Sequence, residues 1–258
     1  MRLATTLAAL LFIVAPAIAQ QTIENNRHGY TIEIPEEWHE IPSKFLTEFS
    51  RSVSKPDQPI NYVQAFQKEP FDGTLVYPYI LIQSIPYRDL GLDRPPTSEE
   101  MGTIVQSIFG VDISDVVDEA LDPDLSALVE NESSIQRLSF DSGTAEFSYD
   151  LNLAVADSGT IRGRARGVFG QRALLQPTYF EQESAWSELR ANTTLTSLQF
   201  MAEYTYPTEL LDIDEITTFT IETVQTPISW VIAAGGIILA ITAALALAII
   251  MKIIDRRG

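Results

Sequence analysis

Residues 144–168 read TAEFSYDLNLAVADSGTIRGRARGV, and the alternation in this stretch decides the fold. Phe147, Tyr149, Leu151, Leu153 and Val155 fall on one face, with Glu146, Ser148, Asp150 and Asn152 on the other. That period of two is the mark of a half-buried strand. The return segment repeats it, with Ile161, Gly163, Ala165 and Gly167 on one face and Arg162, Arg164 and Arg166 on the other. Asp157-Ser158-Gly159 suits a three-residue loop, a type I turn closed by glycine in the left-handed conformation. The predicted register pairs Ala156 with Thr160, Ala154 with Arg162, Asn152 with Arg164 and Asp150 with Arg166. A two-residue loop would set the arginines against Val155, Leu153 and Leu151, so the three-residue loop keeps apolar against apolar. Gly163, Ala165 and Gly167 leave room for large side chains opposite, or for a closely packed helix.

Upstream, Tyr30, Ile32 and Ile34 alternate with Thr31 and Glu33, a strand ended by Pro35, and Trp38 plugs the turn that follows. Ser43 is placed as N-cap of a helix whose inner face is Phe45, Leu46, Phe49 and Val53. Residues 60–67 and 78–85 read as strands. The second is apolar on both faces, as in mid-sheet strands covered on each side. Thr97 and Glu100 form a capping box before the stripe Met101, Ile104, Val105, Ile108, with Gly110 as the stop. A further helical stretch carries Ile113, Val116, Val117, Ala120 and Leu121, restarts at Asp122-Pro123, and ends near Asn131. Residues 135–140 form another strand. Downstream, 172–176 reads as a short last strand. Thr178 and Glu181 are read as a second capping box, opening a helix with Ala185, Trp186 and Leu189 inward. The expected domain is α+β, a largely antiparallel sheet covered by helices over residues 20–201. Residues 202–227 read as an acidic, threonine-rich stalk with brief extended structure at 218–224.

The two ends set the predicted topology. Met1–Ala19 has a basic Arg2, a short apolar run and an Ala-Ile-Ala cleavage site after Pro16, which is a secretory signal; the alternative is an uncleaved anchor. Residues 228–251, ISWVIAAGGIILAITAALALAIIM, carry no formal charge. As a helix they would reach roughly 36 Å, enough to cross a hydrocarbon core of about 30 Å. Lys252, Arg256 and Arg257 follow, which keeps the tail 252–258 cytoplasmic by the positive-inside bias. The expectation is a single-pass inner-membrane protein with its N-terminal domain on the extracytoplasmic, periplasmic side. Ala233, Gly236, Ala240 and Ala244 form a small-residue face suited to packing against another membrane helix. No ionisable residue lies within the span, which argues against transport or proton relay.

The 258 residues carry a formal charge of -18 and no cysteine. The charge argues against nucleic acid and anionic lipid, which need clustered cations. The absence of cysteine removes disulfides, thiolate catalysis and cysteine zinc sites.

Together, Gly29-Tyr30-Thr31-Ile32-Glu33-Ile34-Pro35 with Trp38, the strand 162–168, the strand 172–176, and the Trp186 helix leading to Ser197-Leu198-Gln199-Phe200 resemble the PsbP-like (Mog-like) fold over residues 22–201. That superfamily spans extrinsic photosystem II subunits, Ran-binding proteins and bacterial envelope proteins. The resemblance implies a binding or accessory domain more readily than a catalyst. The added C-terminal membrane segment departs from its soluble or lipid-anchored members.

No hydrolase, metalloprotease, Walker or dinucleotide-binding motif is present, so no catalytic residue, cofactor or metal is assigned. His28 and His39 are the two histidines. Asp122-x-Asp124-x-Ser126 and Asp212-x-Asp214 lack the glycine and glutamate of a calcium loop. The best lead is the ladder Arg162, Arg164, Arg166, with guanidinium groups ~6.6 Å apart along one face. It suits an anion or carboxylate site on a protein partner. The competing reading is cross-strand pairing with Asp150 and its neighbours. The functional expectation is a membrane-anchored extracytoplasmic binding or accessory module acting by protein contact. The alternative is a hydrolase or other enzyme with an unrecognised site near His39.

Overall fold

A computed structural model describes residues 19–53, 60–109, 134–155, 159–211 and 218–223. The predicted signal sequence, the helical stretch after Gly110, the membrane segment and its small-residue face lie outside them. Among the described residues, no helix is long and apolar enough to cross a membrane.

The core of the architecture is an antiparallel sheet of eight strands. In chain order they are β3 (His39–Glu40), β4 (Tyr62–Gln67), β5 (Tyr79–Pro86), β6 (Ser134–Asp141), β7 (Glu146–Val155), β8 (Gly159–Phe169), β9 (Ala173–Gln182) and β11 (Thr218–Thr223). Their spatial order is β11-β6-β7-β8-β9-β5-β4-β3. A second sheet of three strands places β2 (Tyr30–Pro35) between β1 (Gln20–Asn25) and β10 (Gln199–Phe200). Three α-helices complete the described chain: α1 (Ser43–Val53), α2 (Ser98–Phe109) and α3 (Glu188–Thr196). This is the expected α+β class.

The alternation in β5 explains the layering. Tyr79, Leu81 and Ile85 join α1 (Leu46, Phe49) and α2 (Met101, Ile104, Val105) in one apolar cluster. Ile80 and Ile82 join β2 (Tyr30, Ile32, Ile34), Trp38 and the inner face of α3 in another. Helices therefore cover one face of the large sheet, and the small sheet with α3 covers the other. Tyr30, Ile32 and Ile34 are fully buried, as the alternation along β2 requires. Each such side chain stabilises the fold by about 1.5–3 kcal/mol. The Tyr30 hydroxyl donates to Gln64 Oε1 at 2.7 Å, tying the small sheet to β4.

The β7–β8 hairpin keeps the predicted faces and changes the predicted register. Val155 pairs with Gly159, Asn152 with Arg162, Asp150 with Arg164 and Ser148 with Arg166. The pairing has slid by two residues from the expected one. A slip of two leaves every side chain on its own face, so alternation cannot distinguish the two registers. The small residues do what their size suggests: a Cβ built on Gly167 would collide with the Phe147 ring.

Two further expectations change. β9 continues to Gln182, through the proposed capping box, with Pro177 opposite Ile82 and Thr178 opposite both Leu81 and Ala165. A cap contributes about 1 kcal/mol, and pairing on both sides plus burial outweighs it. Ser187 is the N-cap of α3, its side chain accepting from the Arg190 N–H at 3.3 Å. That later start turns Ala191 and Leu195 inward and leaves Leu189 77% exposed. The stretch read as a stalk lies on the domain wherever it is described. Tyr206 is buried with its hydroxyl donating to the Pro96 carbonyl, Thr205 bridges Gly170, and β11 pairs with β6. The first capping box is present, with Thr97 N–H donating to Glu100 Oε2 at 2.7 Å and Glu100 N–H to Thr97 Oγ1 at 3.4 Å.

Two outcomes are expected. Gly167→Ala should lower stability by about 1–3 kcal/mol through overpacking, read as a reduced denaturation midpoint with an unchanged slope. The hydrogen bonds from Arg94 and from the Thr97 N–H hold Glu100 at a pKa of about 2, below its ordinary 4.5. Its contribution is therefore complete above pH 4.5 and disappears as pH falls through about 2. Glu100→Gln should cost about 1 kcal/mol at neutral pH, and the two proteins should converge in acid titrations of stability.

Candidate functional site

The three arginines emerge from β8 on the face covered by α3, and the structure gives each a different task. Arg164 Nε and Nη2 donate to Asp150 Oδ1 and Oδ2 at 2.5 and 2.9 Å. Its Nη1 donates to Glu188 Oε1 and Asn192 Oδ1, both at 2.5 Å, in the first turns of α3. Arg166 forks onto Glu146 at 3.0 and 2.5 Å, and its Nη1 donates to the carbonyls of Leu195 and Leu198 at 3.0 and 2.9 Å. A cation on terminal carbonyls complements the helix dipole. Arg162 instead lies over the Trp186 ring, 4.8 Å from its centroid. Trp186 meets Tyr179 edge-on at 5.8 Å.

Two strand positions, ~6.6 Å apart, thus hold both ends of α3. The pairing is with Asp150 and Glu146 across the strand, as the competing sequence reading anticipated, but in the shifted register. The side chains of Arg164 and Arg166 are 12% and 13% exposed. A second buried pair fixes the chain ahead of the helix: Glu181, 3% exposed, accepts from Arg190 at 2.6 Å and from the Tyr179 hydroxyl at 2.9 Å. Burial works against the Glu188 carboxylate, but the hydrogen bond and charge of Arg164, with Trp186 and Arg137, together outweigh it and lower its pKa.

Beside this strap lies a groove of about 460 Å³ between β6, β7, β8 and α3. Its walls include Arg137, Ser139, Glu146, Ser148, Asn192 and Thr196. Arg137 is the residue that the sequence did not reveal. The β6–β7 register shifts between Gln136 and Ser139, placing two residues of β6 opposite one of β7. At that bulge Arg137 takes a φ of 50°, in the left-handed region. For a residue other than glycine this conformation costs about 1–2 kcal/mol, and bulges re-aim side chains. The Arg137 guanidinium sits 3.4 Å from Asp150 and 3.9 Å from Glu188, with 54% of the side chain exposed. These ion pairs are longer than the contacts of Arg164 and Arg166. Arg137 is the arginine of the groove placed to exchange partners.

His39 is exposed on the two-residue edge strand β3, and His28 is half-buried in the turn after β1. Burial, then Arg27, lowers the pKa of His28. Among the described residues no group of three or more His, Asp or Glu is arranged to hold a metal ion.

Arg164→Ala should destabilise the domain by about 3–5 kcal/mol, because it strands the buried Asp150 carboxylate. Arg162→Ala removes a ring contact and should cost about 0.5–2 kcal/mol. Equal losses for the two in chemical denaturation would refute this division of roles.

No protein-family model matches this chain, and no curated protein matches it. The fold is similar to the solution structure of cyanobacterial PsbP (CyanoP) from Synechocystis sp. PCC 6803, at 13% sequence identity and a TM-score of 0.38. The match covers 75% of this chain and 98% of that one.

Proposed function

We propose that this chain is a membrane-anchored accessory module that works on the extracytoplasmic side by protein contact, with the Arg137 groove as its contact surface. The anchoring rests on residues 1–19 and on the uncharged run 228–251 followed by basic residues. The observation that carries the contact surface is Arg137, exposed at a left-handed bulge that stability alone would give to glycine. A guanidinium with loose intramolecular partners can take an acidic side chain or a C-terminal carboxylate of a partner in forked geometry. The hydroxyls of Ser139, Ser148 and Thr196 line the same groove and supply further hydrogen bonds. The arginines at 164 and 166 hold the floor and wall that present it.

The test pairs localisation with a groove variant. The full chain should remain with membranes through an alkaline wash, and a chain ending at Thr226 should be released in soluble form. A photo-crosslinking residue at Ser139 should give a discrete adduct in the full chain. Arg137→Gly should abolish that adduct while leaving thermal stability equal or higher, since glycine relieves the left-handed strain. Loss of the adduct together with loss of folding would assign Arg137 to structure, and an undiminished adduct would remove the groove from the interface.

A further inference from the structure

Strand β11 is the last described element before the predicted membrane segment, and its register fixes where the domain sits. Thr223 pairs with Gln136, Gln136 with Asp150, and Asp150 with Arg164. Thr223 therefore stands level with Arg164 on the sheet. Antiparallel pairing from β11 to β6 and from β6 to β7 makes β11 run in the direction of β7, towards the turn joining Val155 to Gly159. The first residue of the apolar run, Ile228, is five residues beyond Thr223. Whatever path those residues take, they span at most ~18 Å.

The same distance separates the level of Thr223 from the turn. Arg164 is five residues from Gly159 along β8, or ~17 Å. The opposite end of the sheet is out of reach. It carries the loop between Asp141 and Glu146, and Glu146 pairs with Val168. That loop lies beyond Val168, which is itself four residues or ~14 Å from the level of Thr223 in the direction opposite to the run of β11. A linker of at most ~18 Å that must first reverse direction cannot pass Val168, clear the loop beyond it and still reach a membrane surface.

We infer that β11 straps the domain to the bilayer with the β7–β8 turn end of the sheet facing the lipid headgroups. This inference rests on the membrane-anchored reading above. In place of a domain swinging on a long stalk, it gives one held at a set height and orientation. The near edge of the Arg137 groove adjoins the last pair of β11, Thr223 with Gln136, ~20 Å from the membrane surface, and its far edge at Glu146 and Thr144 lies towards the opposite end of the sheet. A partner that reaches it is a protein resident in the same membrane, whose extracytoplasmic edge rises to that height.

The experiment uses the full chain in lipid vesicles, with single cysteines introduced into a sequence that has none. A fluorophore at Glu183→Cys reports the turn end, since neighbouring Gln182 pairs with Ile161, and one at Thr144→Cys reports the opposite end. Both positions are exposed. With an acceptor on the lipid headgroups, energy transfer from position 183 should exceed that from position 144 several-fold. A Gly/Ser insertion of about twelve residues after Thr223 should reduce the difference towards unity. Equal transfer from the two positions in vesicle-bound protein, or stronger transfer from position 144, overturns the orientation while leaving the anchor standing. A chain that fails to float with vesicles overturns the anchor, and the orientation with it.

Discussion

Both faces of β5 and β9 are buried, and this requirement governs everything placed above and below the large sheet. A strand buried on one face needs a single covering layer, whereas these two need one on each side. Helices α1 and α2 fill one side and the small sheet with α3 fills the other. The order of the chain follows from it. The segment after β9 must return over the sheet, and it does so as α3 and then β10, which completes the small sheet beside β2. Glycines clear the close approaches in this packing. Gly170 abuts the Phe200 ring, and Gly29, at a φ of 67°, abuts Tyr204.

The sheet face under α3 is not apolar throughout, and its charged part is organised by the cost of desolvation. Asp150 is 4% exposed and Glu181 is 3% exposed. Carboxylates in such places require paired, hydrogen-bonded cations, and removing one partner costs far more than the intact pair contributes. Arg164 and Arg190 meet that need while holding α3 and the chain ahead of it. The net result is a helix positioned by charge at both ends and by Ala191 and Leu195 along its inner side. Arg137 differs because more than half of its own side chain is exposed and the buried Asp150 carboxylate it meets at 3.4 Å is already held at both oxygens by Arg164, so its own contact adds little. Its strained backbone is thus not repaid by stability, which is why the groove it borders is the place to look for a partner.

Several features were legible in the residues. The faces of β2, β7 and β8, the two-sided burial of β5, the Trp38 plug and the Thr97–Glu100 cap all follow from side-chain period and local hydrogen-bonding chemistry. Others were not. The box at Thr178 and Glu181 satisfies a four-residue pattern, yet the same residues gain more as a central strand. A helix starting at Thr178 would turn Leu189 inward, whereas the start at Ser187 rotates the inner face onto Ala191 and Leu195. Residues 202–227 look like a stalk because they are acidic and threonine-rich, but Tyr206 and the pairing of β11 with β6 return their described parts to the domain.

By itself the sequence determined which residues share a face, which strands need cover on both sides, and where an uncharged run long enough for a bilayer lies. These are properties of neighbouring residues, set by the periods of strand and helix and by charge. Tertiary structure alone decided the register of β7 against β8, because a slip of two residues changes no face and only pairing with particular partners selects between the alternatives. It also decided the bulge that turns Arg137 into the groove, since one extra residue in β6 is defined by the strand opposite and by nothing in β6 itself. The arginine ladder therefore reads as one uniform stripe in sequence. In the fold it divides into Arg164 and Arg166, which fasten α3, and Arg162, which lies over Trp186, with Arg137 beside them, half exposed and in longer ion pairs.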